Sequence, residues 1–317
     1  MNKKTTKVLK IIIPLALGIF LVWYSLSKIS ISTLLQYFKE ANYYWIFLAL
    51  VLGLLSHLSR AYRWKFMLEP LGFKPKIQNS IMAVFAAYLA NYGIPRSGEV
   101  IRAAIFTNYE DVPFEKGFGT IVAERIADLL VMLLIILITL FLQYDYISNL
   151  LLKKLNPTTI IIGLIGLIIL GGIFFALIAK SKSGIAFKIK TFILGVFEGA
   201  TSIFKMKKKW AFIGHTLFIW LMYLLMFYVT TFAFPELEGI PFAAVLIGFI
   251  AAGFSIAATN GGIGSYPEAV VLAFMLFNIA EEPSRAFGWI MWSVQTGLLI
   301  FFGALSFLLL PIFNRTK

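Results

Sequence analysis

The sequence predicts an all-α membrane protein: a polytopic helical bundle of about six full spans with two re-entrant helical hairpins arranged as inverted repeats. Three observations carry this. The 317 residues are 60% hydrophobic and only 14% charged, where a soluble domain is nearer half apolar and a quarter charged. Uncharged runs long enough to cross a bilayer, which takes about 20 apolar residues, recur along the chain. Two further apolar stretches are interrupted, in corresponding places, by glycine and proline. The composition excludes a soluble enzyme, a secreted disulfide scaffold and a disordered chain. The absence of cysteine excludes disulfides, thiolate chemistry and Cys-based metal sites. His57 and His215 are too far apart in sequence to suggest a metal motif, so no metal and no cofactor is expected. A net charge of +13 reads as cytoplasmic loops beside anionic lipid rather than as nucleic-acid binding.

Residues 1–317 read as a single integral membrane domain, with no P-loop, dinucleotide fingerprint or hydrolase motif. The elements follow in order under the positive-inside rule. Lys3, Lys4, Lys7 and Lys10 hold the N-terminus in the cytoplasm. The apolar run from Ile11 to Ser27 lacks a small-residue cleavage site and predicts a retained first helix over 8–28. A helix over 43–67 returns to Arg60, Arg63 and Lys65, and the first interrupted region, 77–108, follows. A helix over 114–142 exits to a loop at Asp145, and one over 157–180 returns to Lys180. Within 185–204, Ile189, Phe192, Ile193, Val196, Phe197, Ala200, Ile203 and Phe204 fall on one helical face flanked by lysines. That pattern predicts an interfacial amphipathic helix. A helix over 209–234 exits to the acidic loop at Glu236 and Glu238, the second interrupted region, 240–281, follows, and a helix over 284–313 returns to Arg315 and Lys317. Both termini are then cytoplasmic, and the chain belongs in the cytoplasmic (inner) membrane. Trp23, Tyr24, Tyr43, Tyr44 and Trp45 read as interfacial anchors.

The first interruption reads Asn91-Tyr92-Gly93-Ile94-Pro95-Arg96-Ser97-Gly98-Glu99, and Val100 to Phe106 beyond it is too short to span. The second reads Thr259-Asn260-Gly261-Gly262-Ile263-Gly264-Ser265-Tyr266-Pro267-Glu268. Each predicts a hairpin between two full spans, one entering from each side of the membrane. Segments 43–142 and 209–313 then form an inverted repeat, and paired broken segments point to a central site. The alternative is a pair of kinked, complete helices. After each break a new helix starts mid-membrane, and its unpartnered N–H groups suit an anion, phosphate above all.

Charges within a bilayer are costly and tend to be functional. Arg96, Glu99 and Arg102 are spaced three apart along the first short helix. Glu124 and Asp128 share a face of the long helix, with Arg125 turned away by about 100°. Glu268 starts the second half-helix. Arg60 and Arg63 read as functional charges or as topology determinants reaching the surface, the latter favoured for Arg63. The acids either neutralise the arginines in structural ion pairs or carry protons. Ser265-Tyr266-Pro267-Glu268 fits a capping box, which gives Glu268 a capping role compatible with a site role. His57 and His215 read as packed rather than catalytic.

Pro95-Arg96-Ser97-Gly98-Glu99-Val100-Ile101-Arg102, Glu124-Arg125-Ile126-Ala127-Asp128, and Gly261-Gly262-Ile263-Gly264 with Glu268 resemble the signature of the lysylphosphatidylglycerol synthase membrane domain, the flippase-like integral membrane family. The resemblance covers about 10–310. It implies a lipid-translocating helical domain, in some members fused to a cytosolic transferase. No such domain is legible here, so the chain resembles the stand-alone members. By resemblance Arg96, Glu99, Arg102, Glu124, Arg125, Asp128 and Glu268 are the functional residues. The family often has proline just before its glycine motif, where this chain has Asn260 and places Pro267 later.

The expected function is therefore lipid transport: a flippase-like transporter moving an anionic, phosphate-bearing phospho- or glycolipid through a central polar cavity. Arg96, Glu99, Arg102, Glu124, Arg125, Asp128, Asn260, Gly261, Gly262, Gly264, Ser265 and Glu268 form the expected substrate-binding set, with no catalytic and no metal residue. The expected partner is an anionic membrane lipid as substrate, with a homodimer and a separate lipid-modifying enzyme as further candidates and no nucleic acid. Two alternatives stand beside this reading. One is an intramembrane headgroup transferase using Glu99 or Glu124 as base. The other is a non-transporting partner of a separate synthase, recruited through the basic 180–209 segment.

Overall fold

The computed structural model describes residues 16, 18–94, 96–144 and 206–315. The helix expected over 157–180 and the amphipathic helix expected over 185–204 lie outside the described residues. Ten helices are named here in chain order: α1 (Gly18–Ser27), α2 (Ile31–Glu40), α3 (Tyr43–Leu68), α4 (Ile77–Gly93), α5 (Gly98–Glu110), α6 (Phe114–Leu142), α7 (Lys209–Thr231), α8 (Phe242–Ala258), α9 (Ser265–Met275) and α10 (Glu281–Phe313). The chain divides into two compact units, Met1–Val122 with Lys208–Lys317, and Ala123–Lys207. Helix α6 begins in the first unit and continues into the second, and each unit is described by itself.

Local chemistry sets the boundaries. Helix α1 ends in a bend of 84° into α2, whose first turn is capped by the Ser30 hydroxyl accepting from the Thr33 N–H at 3.0 Å. Sequence reasoning missed α2 because its ten residues are too few to register as a span. Asn42 caps α3 through Tyr44 N–H, and Pro70 and Gly72 close that helix in a 3₁₀ turn. Helices α3, α6, α7 and α10 are each long and apolar enough to cross a membrane, and α1 with α2 makes a fifth candidate if the bent pair is one span. Among the described residues, four helices of spanning length thus fall where four of the six full spans are expected, with boundaries within a few residues.

Neither interrupted region is a kinked span. Chain direction reverses within 94–97, so that a Cβ on Gly98 would stand 2.2 Å from the Ala87 carbonyl oxygen. Helices α4 and α5 therefore lie against each other as a hairpin. Likewise α8 and α9 pair, with a Cβ on Gly248 placed 2.7 Å from the Phe274 ring. The two hairpins share a plan. A long helix (26 or 23 residues) precedes a first arm of 17, a second arm of 13 or 11, and a closing helix of 29 or 33.

In the first unit α10 is the strut on which both hairpins hang. Near its N-terminus Arg285 pairs with Glu268, and Gly288 lies so close to α9 that a Cβ would meet Pro267 Cα at 2.5 Å. Farther along, Trp292 donates to the Gly261 carbonyl and Thr296 meets the Tyr92 hydroxyl. Beyond them Leu298 and Leu299 pack on Phe85, Gly303 approaches Leu89, and Asn314 pairs with Asn79. Reading along α10 thus passes down the second hairpin from α9 to its tip, then from the tip of the first hairpin along α4. The hairpins approach from opposite ends of α10 and meet tip to tip part-way along it.

The ends of this unit differ in charge. Asn42 N–H donates to the Ala233 carbonyl and the Tyr37 ring lies tilted against Phe234, which gathers Glu40, Glu236 and Glu282 around Tyr37. At the opposite end Lys208 bridges to Glu69 at 2.7 Å and Lys76 lies over Phe313, with Lys65, Lys74, Lys209 and Arg315 on the adjoining segments. Large apolar side chains such as Phe47, Leu221, Phe301 and Leu308 are exposed, as the wall of a bilayer-embedded bundle requires.

Candidate functional site

The first tip is built by side chains of its own hairpin. Ser97 Oγ donates to the Ala90 carbonyl at 3.0 Å, and the Gly98 N–H donates to Asn91 Oδ1 at 2.8 Å. Arg96 sits between them with φ of 58°, a left-handed conformation uncommon outside glycine. Its side chain is exposed. Arg96 therefore precedes α5 and does not share a helical face with Glu99 and Arg102. The expected three-residue spacing along one helix holds only for the latter pair, because the left-handed turn delays the helix start to Gly98.

Glu99 is partly buried and Arg102 is buried. The Arg102 guanidinium lies 3.8 Å from the Trp64 ring centroid, a cation–π contact worth about 2 kcal/mol where water is excluded. Trp64 is itself fixed by its Nε1 donating to Thr120 Oγ1 at 2.9 Å. Arg60 and Arg63 are buried on the same helix, and Arg63 donates to Thr216 Oγ1 at 2.8 Å while lying over Phe212. The expectation that Arg63 reaches the surface is thus overturned. Helix α7 covers that face of α3, leaving no path to solvent. His57 is packed among Phe85, Tyr88 and Tyr223, as expected.

In the second unit Glu124 and Asp128 are buried, and Arg125 lies 3.7 Å from Asp128.

The second tip is a glycine turn. Gly261, Gly262 and Gly264 all have positive φ, from 65° to 78°. Thr259 Oγ1 accepts the Gly262 N–H at 3.1 Å and lies 2.9 Å from Ser265 Oγ. With Ser265 so engaged, and with Gly264 as the residue before α9, the expected capping box does not form. Glu268 instead turns to Arg285 of α10, which also reaches Glu281 at 3.5 Å and Ser25 at 3.5 Å. Trp289 Nε1 donates to the same Ser25 hydroxyl at 3.1 Å. Asn260 is buried beside the turn. Helix α1 closes over it: a Cβ on Gly264 would stand 2.4 Å from the Val22 nitrogen.

The two tips touch. A Cβ on Gly261 would lie 2.6 Å from Tyr92 Cε1, so the Tyr92 ring rests on the glycine backbone. The Tyr92 hydroxyl is 3.0 Å from Thr296 Oγ1, and Trp292 Nε1 holds the Gly261 carbonyl at 2.8 Å. The structure sets Gly261, flanked by Asn260 and Gly262, against Tyr92, with Arg96 four residues farther along the chain. It places Arg102 deeper, on Trp64, and Glu268 farther along α9, on Arg285. The Gly98 N–H at the start of α5 is satisfied by Asn91, and the Gly262 N–H in the turn before α9 by Thr259. Arg96 is an exposed cation in the turn that carries Tyr92. Sequence reasoning missed Tyr92, Trp292, Thr296, Ser25 and Arg285. Of these only Arg285, a charge within an apolar helix, carried a sequence signal. Among the described residues no group of acids and histidines is arranged to hold a metal ion.

Comparison with known proteins agrees with this architecture. Residues 11–311 match the family described as the lysylphosphatidylglycerol synthase TM region. A curated relative, the UPF0104 membrane protein MJ1595 of Methanocaldococcus jannaschii, is 24% identical over 306 residues, covering 88% of this chain and 89% of the relative. No solved structure matches the chain.

Proposed function

The chain belongs to the lysylphosphatidylglycerol synthase transmembrane-region family, and from that membership we propose that it is a lipid flippase-like transporter rather than an enzyme. Its cargo is an anionic, phosphate-bearing phospho- or glycolipid. The observation that carries this reading is the junction of two broken hairpins, reached from opposite ends of α10, with the exposed Arg96 beside it. Non-helical backbone at membrane depth is tolerated only where it is buried in protein or lines a watery cavity. Broken segments in matching halves are where secondary transporters bind substrate. We therefore read α3–α6 and α7–α10 as inverted repeats and both hairpins as re-entrant. The basic end of the first unit faces the cytoplasm and the acidic end faces outward, in the cytoplasmic membrane.

Arg96 grips the headgroup phosphate, for which a guanidinium fork is suited. Arg102, held on Trp64, adds positive field behind it. Glu99 balances the arginines of the first unit or carries a proton, and Glu124 and Asp128 do so within the second unit, beside Arg125. The test is flipping of fluorescent phosphatidylglycerol in liposomes, read by quenching from one side, with wild type beside Arg96→Ala. Loss of at least tenfold in rate, with an unchanged melting temperature, is the expected outcome. Normal flipping by a well-folded Arg96→Ala protein would sink the assignment.

A further inference from the structure

We propose that the tip-to-tip junction is a closed gate and that Tyr92 is its moving bolt, an inference that rests on the transport reading above. The two tips are held to neighbouring turns of one face of α10, by Trp292 and Thr296, in different ways. Trp292 grips tip two by its backbone, through the Gly261 carbonyl at 2.8 Å. Thr296 grips tip one only by the end of a side chain, the Tyr92 hydroxyl at 3.0 Å.

The surroundings differ in the same sense. The turn at Gly262 is enclosed by Tyr266, Ile256 and Trp292, and Gly264 by the backbone of α1, so tip two cannot shift without disturbing α1 and α10 as well as its own two arms. A Cβ on Gly93, beside Tyr92, would meet nothing within 4 Å, and Ile94 and Arg96 are exposed. Room to move lies on the side of tip one. The Tyr92 ring occupies the seat over Gly261 that any side chain there would fill, since a Cβ would come within 2.6 Å of it. Swinging the ring out costs the neutral hydrogen bond to Thr296 and the ring's packing against Phe85, Leu298 and Leu299. It uncovers Gly261, the sequence neighbour of the buried Asn260. Arg96, four residues on, is placed so that an arriving phosphate and the bolt share one segment of chain.

The chain contains no cysteine, which makes the test direct. Asn260→Cys is introduced as the sole thiol and its labelling by a membrane-impermeant maleimide is timed in proteoliposomes, alone and combined with Tyr92→Ala, Tyr92→Phe or Thr296→Val. The gate requires slow labelling alone, labelling at least tenfold faster with Tyr92→Ala, and a smaller rise with either of the other two. Flipping of fluorescent phosphatidylglycerol by cysteine-free Tyr92→Phe should rise several-fold, because the ring stays while its latch is lost. Unchanged labelling in all three backgrounds overturns the gate, whatever the transport data show. Faster labelling without flipping in any variant, wild type included, leaves the gate standing and overturns the lipid-transport reading instead. If Tyr92→Ala fails to fold, Tyr92→Phe and Thr296→Val decide alone, since each removes a single polar contact.

Discussion

The two hairpins share a plan of arms and break, yet chemistry is divided unevenly between them. The α4–α5 tip carries an exposed arginine in a left-handed turn, with Glu99 and Arg102 on the arm behind it. The α8–α9 tip carries no charge, only three glycines with positive φ, and is closed over by α1. Its one acid, Glu268, is paired to Arg285 along the arm. The difference follows from burial. A charge at an enclosed tip must be neutralised on the spot, whereas a tip with open space on one side can keep a cation for an arriving anion. On the proposed transport reading, one hairpin holds cargo and the other stays still while the first moves.

The sharpest way to break this comparison is at the glycines of close approach. Gly98→Ala would drive a Cβ to 2.2 Å from the Ala87 carbonyl, and Gly264→Ala to 2.4 Å from the Val22 nitrogen. Both neighbours are backbone and cannot give way. Gly264 also has φ of 68°, which costs any other L-residue roughly 1–2 kcal/mol before packing is considered. Overpacking of this kind adds about 1–3 kcal/mol or more. Both variants should fail to give monodisperse protein in detergent, while Gly93→Ala, with nothing within 4 Å of the added carbon, should purify normally. A stable Gly264→Ala protein would mean that α1 does not clamp the second tip.

A smaller effect is expected at the ion pair that anchors the second hairpin. Arg285 is 2% exposed and serves Glu268, Glu281 and Ser25 at once. Removing one partner of a buried pair typically costs about 3–5 kcal/mol. Arg285→Met should therefore lower the detergent melting temperature well below that of Glu281→Gln, whose carboxylate is half exposed and contributes little. The exchanged double variant Glu268→Arg with Arg285→Glu should recover part of the loss. No recovery would reassign Arg285 to its contact with Ser25 and α1.

These anchors mark where sequence reasoning ran out. The breaks themselves were legible, because a proline and clustered glycines together interrupt an apolar run. So were the four long helices, whose apolar runs are set by bilayer thickness. What composition could not reveal was which neighbour each charged face would meet. Arg63 read as a surface determinant because it sits near a helix end, and only the packing of α7 against α3 shows it buried on Thr216. Glu268 read as a cap because Ser265 stands three residues before it, but Ser265 is engaged by Thr259 across the turn. Tyr92 and Thr296 were invisible as a pair, since they are 204 residues apart and neither is unusual in an apolar helix.

The smallest expected effect separates two roles of one residue. Arg96 contributes a cationic side chain and also a backbone held at φ 58°. Arg96→Ala removes the charge and keeps the strained backbone. Arg96→Gly removes the charge and relieves the strain, worth about 1 kcal/mol, part of which the greater freedom of glycine in the unfolded chain offsets. Arg96→Gly should therefore be more stable than Arg96→Ala by about 0.5 kcal/mol, a shift of a degree or two in melting temperature. Both should lose flipping to the same extent, because neither presents a guanidinium at the junction. If Arg96→Gly retained transport where Arg96→Ala lost it, the turn and not the charge would be what the first tip supplies. The contrast between a cargo-holding and a supporting hairpin would then fail at its chemical end while its mechanical end stood.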